Sequence, residues 1–395
     1  MTHTISRSRL RRLAVTTAAL AALAATGLVT PVAAATHTPV APGRLSSLPA
    51  AANSPWQVVP GASFPANTYP DIYGITMIAP NDVWAVGDVA DAAGQRTLAE
   101  HWNGTQWSVV PTPTPPFGMN GYHLRAVAAV STTDVWAVGG DFNYHTTAII
   151  EHWNGQSWSL VPSPTFVASN ATGGAYELRA LAVVSTTDVW AVAENNVIEH
   201  WNGTQWSVVP TPAMPTLAVF FTGVTAIATN DVWAVGYGEG DSAFASLIEH
   251  WNGAQWSVVP SPGVGSLGGV GVAAVSTNDV WAVGDRIEHW NGAQWSVVPS
   301  PHTIYTSANP INTLHSVAVV GPNDVWAVGR TETKDASGIT YLATLTEQWN
   351  GTAWNRVPSP RIMYADNGLI GVAAVPSGTL WAITQAGNFL RNTNG

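Results

Sequence analysis

The chain has 395 residues, a net charge of −10, only 10% charged residues, no cysteine and 20 tryptophans. The lack of cysteine excludes disulfides, thiolate metal sites and thiol nucleophiles. An acidic chain whose single lysine is Lys334 also lacks the clustered cations that a nucleic-acid or anionic membrane surface requires.

In chain order, residues 1–35 read as an export signal. Arg7, Arg9, Arg11 and Arg12 form a basic start, residues 13–29 an Ala/Leu-rich apolar run, and Ala33-Ala34-Ala35 a small-residue cleavage site. Gly27 and Pro31 interrupt the run, which is too short and alanine-rich for a membrane anchor. Cleavage leaves ten cations against 24 anions, a balance of −14, and makes the mature chain a secreted protein, expected as a monomer without membrane insertion. Residues 36–53, rich in Pro, Ala and Ser, form a flexible lead-in.

Everything from residue 54 to 395 is repetitive. Asp-Val-Trp-Ala-Val-Gly starts at Asp82, Asp134, Asp231, Asp279 and Asp324, with an Ala-ended copy at Asp188 and a degenerate Thr-Leu-Trp-Ala-Ile at Thr379. Successive starts are 52, 54, 43, 48, 45 and 55 residues apart. Behind them come Glu-His-Trp-Asn-Gly at Glu100, Glu151, Glu199, Glu249 and Glu288, and a Gln variant at Glu347. A Trp-Ser-Val-Val-Pro-like string follows at Trp107, Trp158, Trp206, Trp256, Trp295 and Trp354. Each repeat therefore spells four strands, A to D. In the second copy they are residues 124–130, a strand from Asp134, residues 148–153, and residues 158–161, stopped by Pro162.

Strands A and B are apolar throughout, so both faces must be covered. Blades packed face to face around an axis do this, which predicts an all-β, seven-bladed β-propeller with four antiparallel strands per blade. The Asn-Gly between strands C and D predicts a two-residue type I′ turn that pairs Trp102 with Thr105. Residues 54–60 spell a strand D with nothing before it, while the last repeat (370–375, 379–384, 387–391) lacks one. The N-terminal strand is expected to complete the last blade.

The repeated strings resemble the kelch repeat, which has a strand ending in Gly-Gly, an aromatic position and a later tryptophan in blades of about 50 residues. This chain has the double glycine only at Gly139-Gly140, and Trp where that family usually has Tyr. The hairpin half also resembles the tectonin-type repeats of bacterial propeller lectins, a likeness that implies sugar binding between blades. Neither likeness transfers a ligand-contact residue.

Antiparallel order puts the short, monotonous A–B and C–D turns on one face and the variable B–C and D–A loops on the other. Varied loops on a uniform scaffold mark the second face, and the channel mouth it surrounds, as the recognition side. Alignment from the Asp-Val-Trp string brings Tyr73, Arg125, Arg179, Thr222, Val270, His315 and Ile370 to one level near that mouth. The next level is small throughout: Gly74, Ala126, Ala180, Gly223, Gly271, Ser316 and Gly371. Arg125 and Arg179, with His123 and Glu177 two residues earlier, either grip a ligand carboxylate or sugar hydroxyls, or pair with acids of their own chain. Tyr69, Tyr73, Phe117, Tyr122, Tyr176 and Tyr305 either stack on sugar rings or pack the loops.

His101, His152, His200, His250 and His289 sit on outer strands of different blades and point apart, so they cannot share a metal. The repeated Asp is expected to bond backbone amides of its own turn. Asn103, Asn202 and Asn350 match the glycosylation sequon but read as hairpin turns followed by Thr. No cofactor motif, phosphate loop or nucleophile elbow is present in the sequence. A non-enzymatic module that binds a glycan or a cell-surface protein fits best. A carbohydrate-active enzyme on a propeller scaffold and a purely structural envelope protein are the alternatives.

Overall fold

Strands with two apolar faces need a neighbour on each side, and the computed structural model shows how they obtain one. It describes residues 54–92, 94–114, 121–141, 148–164, 177–214, 218–240, 244–262, 271–301, 312–334, 340–362 and 368–393. Those residues form seven four-stranded antiparallel sheets, six of them running A-B-C-D in sequence order. Their innermost strands touch in a closed circle, each against the next and the last, Leu369–Ala374, against the first, Tyr69–Ala79. The molecule is a seven-bladed β-propeller. In the second blade strand C is Ala148–Trp153 as read, while strand A extends to Tyr122–Ser131 and strand D shortens to Trp158–Leu160. The export-signal and lead-in readings lie outside the described residues.

The seventh sheet is completed from the opposite end of the chain. Trp56–Val59 pairs antiparallel with Phe389–Asn392, from Trp56 opposite Asn392 to Val59 opposite Phe389. Trp56 is fully buried and meets Trp326 of the sixth blade edge-on at 5.6 Å.

Tryptophans make the interfaces between blades. Trp84 of the first blade lies 5.1 Å from Trp153 and 5.3 Å from Trp158 of the second. The same trio recurs at four further interfaces and crosses the seam, where Trp381 lies 5.0 Å from Trp102 and 5.3 Å from Trp107, while between the sixth and seventh blades Trp326 meets Trp56 alone. Offset and edge-on contacts at these separations are the favourable aromatic geometries.

Two local expectations are corrected. The C–D connection is a four-residue loop: Trp102 pairs with Trp107 directly, and the Asn103 amide donates to the Gln106 carbonyl. Asn103 keeps a negative φ, because its Oδ1 accepts from the amides of Thr105 and Gln106 and so closes the turn itself. Only Gly104 takes a positive φ, +94°. The repeated Asp does not bond its own turn either. Asp82 Oδ1 accepts from His101 Nε2 at 2.8 Å, and four further copies repeat the pair. Each imidazole also lies against the strand-B tryptophan of its own blade, with His101 and Trp84 centroids 4.5 Å apart. These histidines tie strand C to strand B.

The glutamate before each histidine is fully buried and faces the preceding blade's D–A segment. Where that segment reads Pro-Ser-Pro, the serine hydroxyl donates to it: Ser163 to Glu199 at 2.9 Å, Ser261 to Glu288 at 2.9 Å, and Ser300 to Glu347. At the seam the Ala62 amide serves Glu100 at 3.1 Å. Where the segment reads Pro-Thr-Pro, the hydroxyl turns back to its own blade, Thr112 to the Thr97 carbonyl and Thr211 to the Asn196 carbonyl. Glu151 and Glu249 are then left with no hydrogen bond on either carboxyl oxygen.

Burial pushes Glu151 up to about 8, against a small lowering by the Thr97 hydroxyl, and Glu249 up to about 7. A carboxyl raised in the folded state favours folding while protonated. Its contribution is fullest below the ordinary value of 4.5 and is lost as pH rises through 8. Thr112→Ser should place a donor on Glu151, lower its titration midpoint by about one unit or more, and flatten the fall in stability between pH 5 and 8. Carbon-detected NMR of the glutamate carboxyls, with thermal melts across that range, measures both. An unchanged Glu151 midpoint would show that the serine clasp has no such effect.

Candidate functional site

Seven strands converging on one axis leave little room, so the residues closest to it are small. Gly74, Ala126, Ala180, Gly223, Gly271, Ser316 and Gly371 ring a central cavity of about 190 Å³. A Cβ on Gly74 would stand 2.9 Å from the Arg125 carbonyl oxygen, closer than such contacts allow. Tyr73, Arg125, Thr222, His315 and Ile370 line the cavity at the next level. Arg179 is absent from that lining, and Val270 lies outside the described residues, as do Tyr176, Phe117 and Tyr305.

On the side of the first three blades the mouth holds one continuous polar cluster. Glu177 is fully buried and accepts from the equally buried His123 and from Arg125 Nε. Arg179 approaches the other Glu177 oxygen at 3.4 Å and pairs with Glu194. Arg125 also lies over the Tyr73 ring, 4.5 Å from its centroid. Burial alone would raise the Glu177 pKa. The His123 hydrogen bond and the charges of Arg125, His123 and Arg179 outweigh it and hold the group at about 2. Asp88, hydrogen-bonded by Gln95 at 2.8 Å, goes the other way: burial and the nearby Asp71 lift it to about 6. Burial and the same two aspartates push the Tyr73 phenol well above its ordinary range.

The structure thus brings together Tyr73, His123, Arg125, Glu177 and Arg179. The two arginines pair with acids of their own chain, the second of the readings open at the sequence level. Tyr122 stands apart, 3% exposed among Leu124, Ile149 and Trp158 between blades. His315 lies across the ring in the sixth blade.

Asp88, Glu194 and Arg330 were not singled out from the sequence. They occupy the position directly after the Asp-Val-Trp-Ala-Val-Gly string, which reads Asp88, Gly140, Glu194, Tyr237, Asp285, Arg330 and Gln385 around the ring. The break in the repeat at that column was the available signal.

Similarly folded solved structures include YCF48 bound to a D1 peptide, at 16% identity, covering 88% of this chain and 100% of that one with a TM-score of 0.54. The WD40 propeller domain of Doa1 shares 12% identity over 87% of this chain and 98% of its own, with a TM-score of 0.55. The likeness is one of fold. A GH74 xyloglucanase from Xanthomonas campestris also matches, at 14% identity over 86% of this chain and 54% of that one, with a TM-score of 0.56. No family model and no curated protein sequence matches the chain.

Proposed function

We propose that this propeller is a secreted, non-enzymatic binding module that takes a protein partner at the B–C/D–A mouth of its channel. One observation carries the reading. The strand-B tryptophans and the Asp–His pairs recur from blade to blade, whereas the seven positions of the column facing the mouth hold six different residue types. A repeated scaffold whose variation gathers around one opening is suited to present that opening. Peptide recognition by a propeller has a precedent in the YCF48 structure, and that precedent extends to the fold alone.

The rim favours protein over glycan because it is charged, and Tyr69, 42% exposed, is its one described aromatic open enough to serve as a stacking platform. A hydrolytic reading finds little support at the mouth. Asp88 and Glu177 are the carboxylates most displaced in pKa there, and they are 2% and 0% exposed, out of a substrate's reach.

Parallel peptide and glycan arrays test the proposal, with an Ile370→Trp variant that fills the mouth. Saturable peptide binding, lost in Ile370→Trp without a change in thermal midpoint, is the expected result. Binding confined to glycans would replace a protein partner with a sugar, and silence on both arrays would end the binding reading.

A further inference from the structure

Four of the eight arginines among the described residues pair with an acid. Arg96 pairs with Asp91, Arg125 with Glu177, Arg179 with Glu194, and Arg286 with Glu288. Arg391 instead stacks over Trp381 and Trp102. Arg330 has neither kind of partner among the described residues. It sits on strand B of the sixth blade, between Thr313 and Thr344 in the ladder, in the variable column that rims the mouth. Its Nε is shut off from solvent yet has no hydrogen-bond acceptor. A buried N–H of a charged group without an acceptor is destabilising, which makes this group a standing demand for an anion.

Gly368 of the seventh blade adjoins the side chain, and a Cβ there would lie 3.0 Å from Arg330 Cβ and 3.4 Å from its Cδ. His315 lines the cavity at the mouth level of the same blade, and burial together with the Arg330 charge pushes its pKa down to about 4. Among the described residues, the corner at neutral pH therefore sets one cation beside an uncharged imidazole. In blades one and three the same column supplies Asp88 and Glu194; here it supplies the cation itself.

We propose that Arg330, with the His315 imidazole beside it, anchors a carboxylate side chain of an acidic peptide at the channel mouth. The proposal rests on the binding-module reading and names the chemistry of its partner. A planar guanidinium fork matches a carboxylate two bonds at a time. One charge with a neutral neighbour suits a monoanion better than a phosphate dianion. No aromatic ring lies against Arg330 or His315 among the described residues, so the corner offers a uronic acid no stacking surface.

The test uses the full chain at pH 7 and follows the Arg330 Nε–H resonance, identified by its absence in Arg330→Lys. Glutarate, hexaglutamate, hexagalacturonate and inorganic phosphate are titrated separately. Saturable movement with glutarate and hexaglutamate is expected. Arg330→Gln should weaken hexaglutamate binding by about tenfold or more at an unchanged thermal midpoint, and Arg330→Lys by less. A resonance that glutarate and hexaglutamate leave in place overturns the anchor. Hexaglutamate affinity unaltered by Arg330→Gln also overturns it, while leaving the module intact. Movement with glutarate but no hexaglutamate binding supports the carboxylate site and removes the peptide. A phosphate response as strong as the glutarate one overturns the carboxylate class, and tighter hexagalacturonate binding transfers the site to acidic sugars.

Discussion

Removing residues 54–60 should convert a cooperatively folded propeller into an open, aggregating chain, whereas removing only residues 1–53 should leave its unfolding unchanged. The lost segment contributes Trp56–Val59, the whole outer strand of the seventh sheet, and with it the ladder along the outer edge of Phe389–Asn392. Without it that strand becomes an exposed, apolar edge of the kind that recruits other chains. The energetic core of the effect is Trp56. Large-to-small replacement of a fully buried aromatic costs about 3–5 kcal/mol, so Trp56→Ala alone should lower the denaturant midpoint substantially. Gln57 is exposed on the same strand, and Gln57→Ala should leave stability within about 0.5 kcal/mol of the parent. Urea unfolding of the two truncations and the two substitutions distinguishes them, and a synthetic peptide of residues 54–60 should restore part of the loss in the chain that lacks it. Equal stabilities for Trp56→Ala and Gln57→Ala would mean that closure adds nothing.

Glu177→Ala should be the most damaging single substitution at the mouth. It withdraws the shared acceptor of His123 and Arg125 and strands both beside an empty, buried volume. Breaking a buried ion pair from one side costs about 3–5 kcal/mol, because the remaining charge loses its counter-ion without regaining water. Glu177→Gln keeps the shape and removes the charge, so it should recover part of that loss. The pH dependence follows from the depressed carboxyl. A group at about 2 when folded and 4.5 when unfolded contributes stability that is complete above 4.5 and lost as pH falls through 2. The shift corresponds to roughly 3 kcal/mol. Acid unfolding of the parent should therefore be steeper below pH 4.5 than that of Glu177→Gln. Coincident acid limbs would show that Glu177 carries no such load.

The ring and its closure were legible because both depend on patterns a sequence states outright: a counted tryptophan string, and a strand D missing from one end and stranded at the other. The C–D hairpin was misread because Asn-Gly suits two geometries. The one adopted was chosen by the Asn103 side chain, whose carbonyl oxygen serves two backbone amides and so spares the residue a positive φ. The Asp82–His101 link stayed hidden for a related reason. It joins strand B to strand C, and its existence depends on a register the turn alone does not fix. At the mouth the arginines were found because the repeat alignment reaches them. Glu177 was reached with them, but Glu194, the partner of Arg179, was not, and neither was Asp88, since both lie one step beyond the last repeated letter. The Ser-or-Thr choice between the two prolines was legible as well, but its meaning was not, because only the structure shows that the threonine hydroxyl turns back to its own blade while the serine hydroxyl reaches the next one.

The pairing of Trp56 with Asn392 has a mechanical consequence. The chain enters that antiparallel pair at Trp56 and leaves it at Asn392, side by side, so tension applied between those two points opens the pair like a zip, one bond at a time, rather than shearing four together. Anchored by a single terminus, the ring bears no load at its seam; strung between two attachments, it would yield there first, at low force.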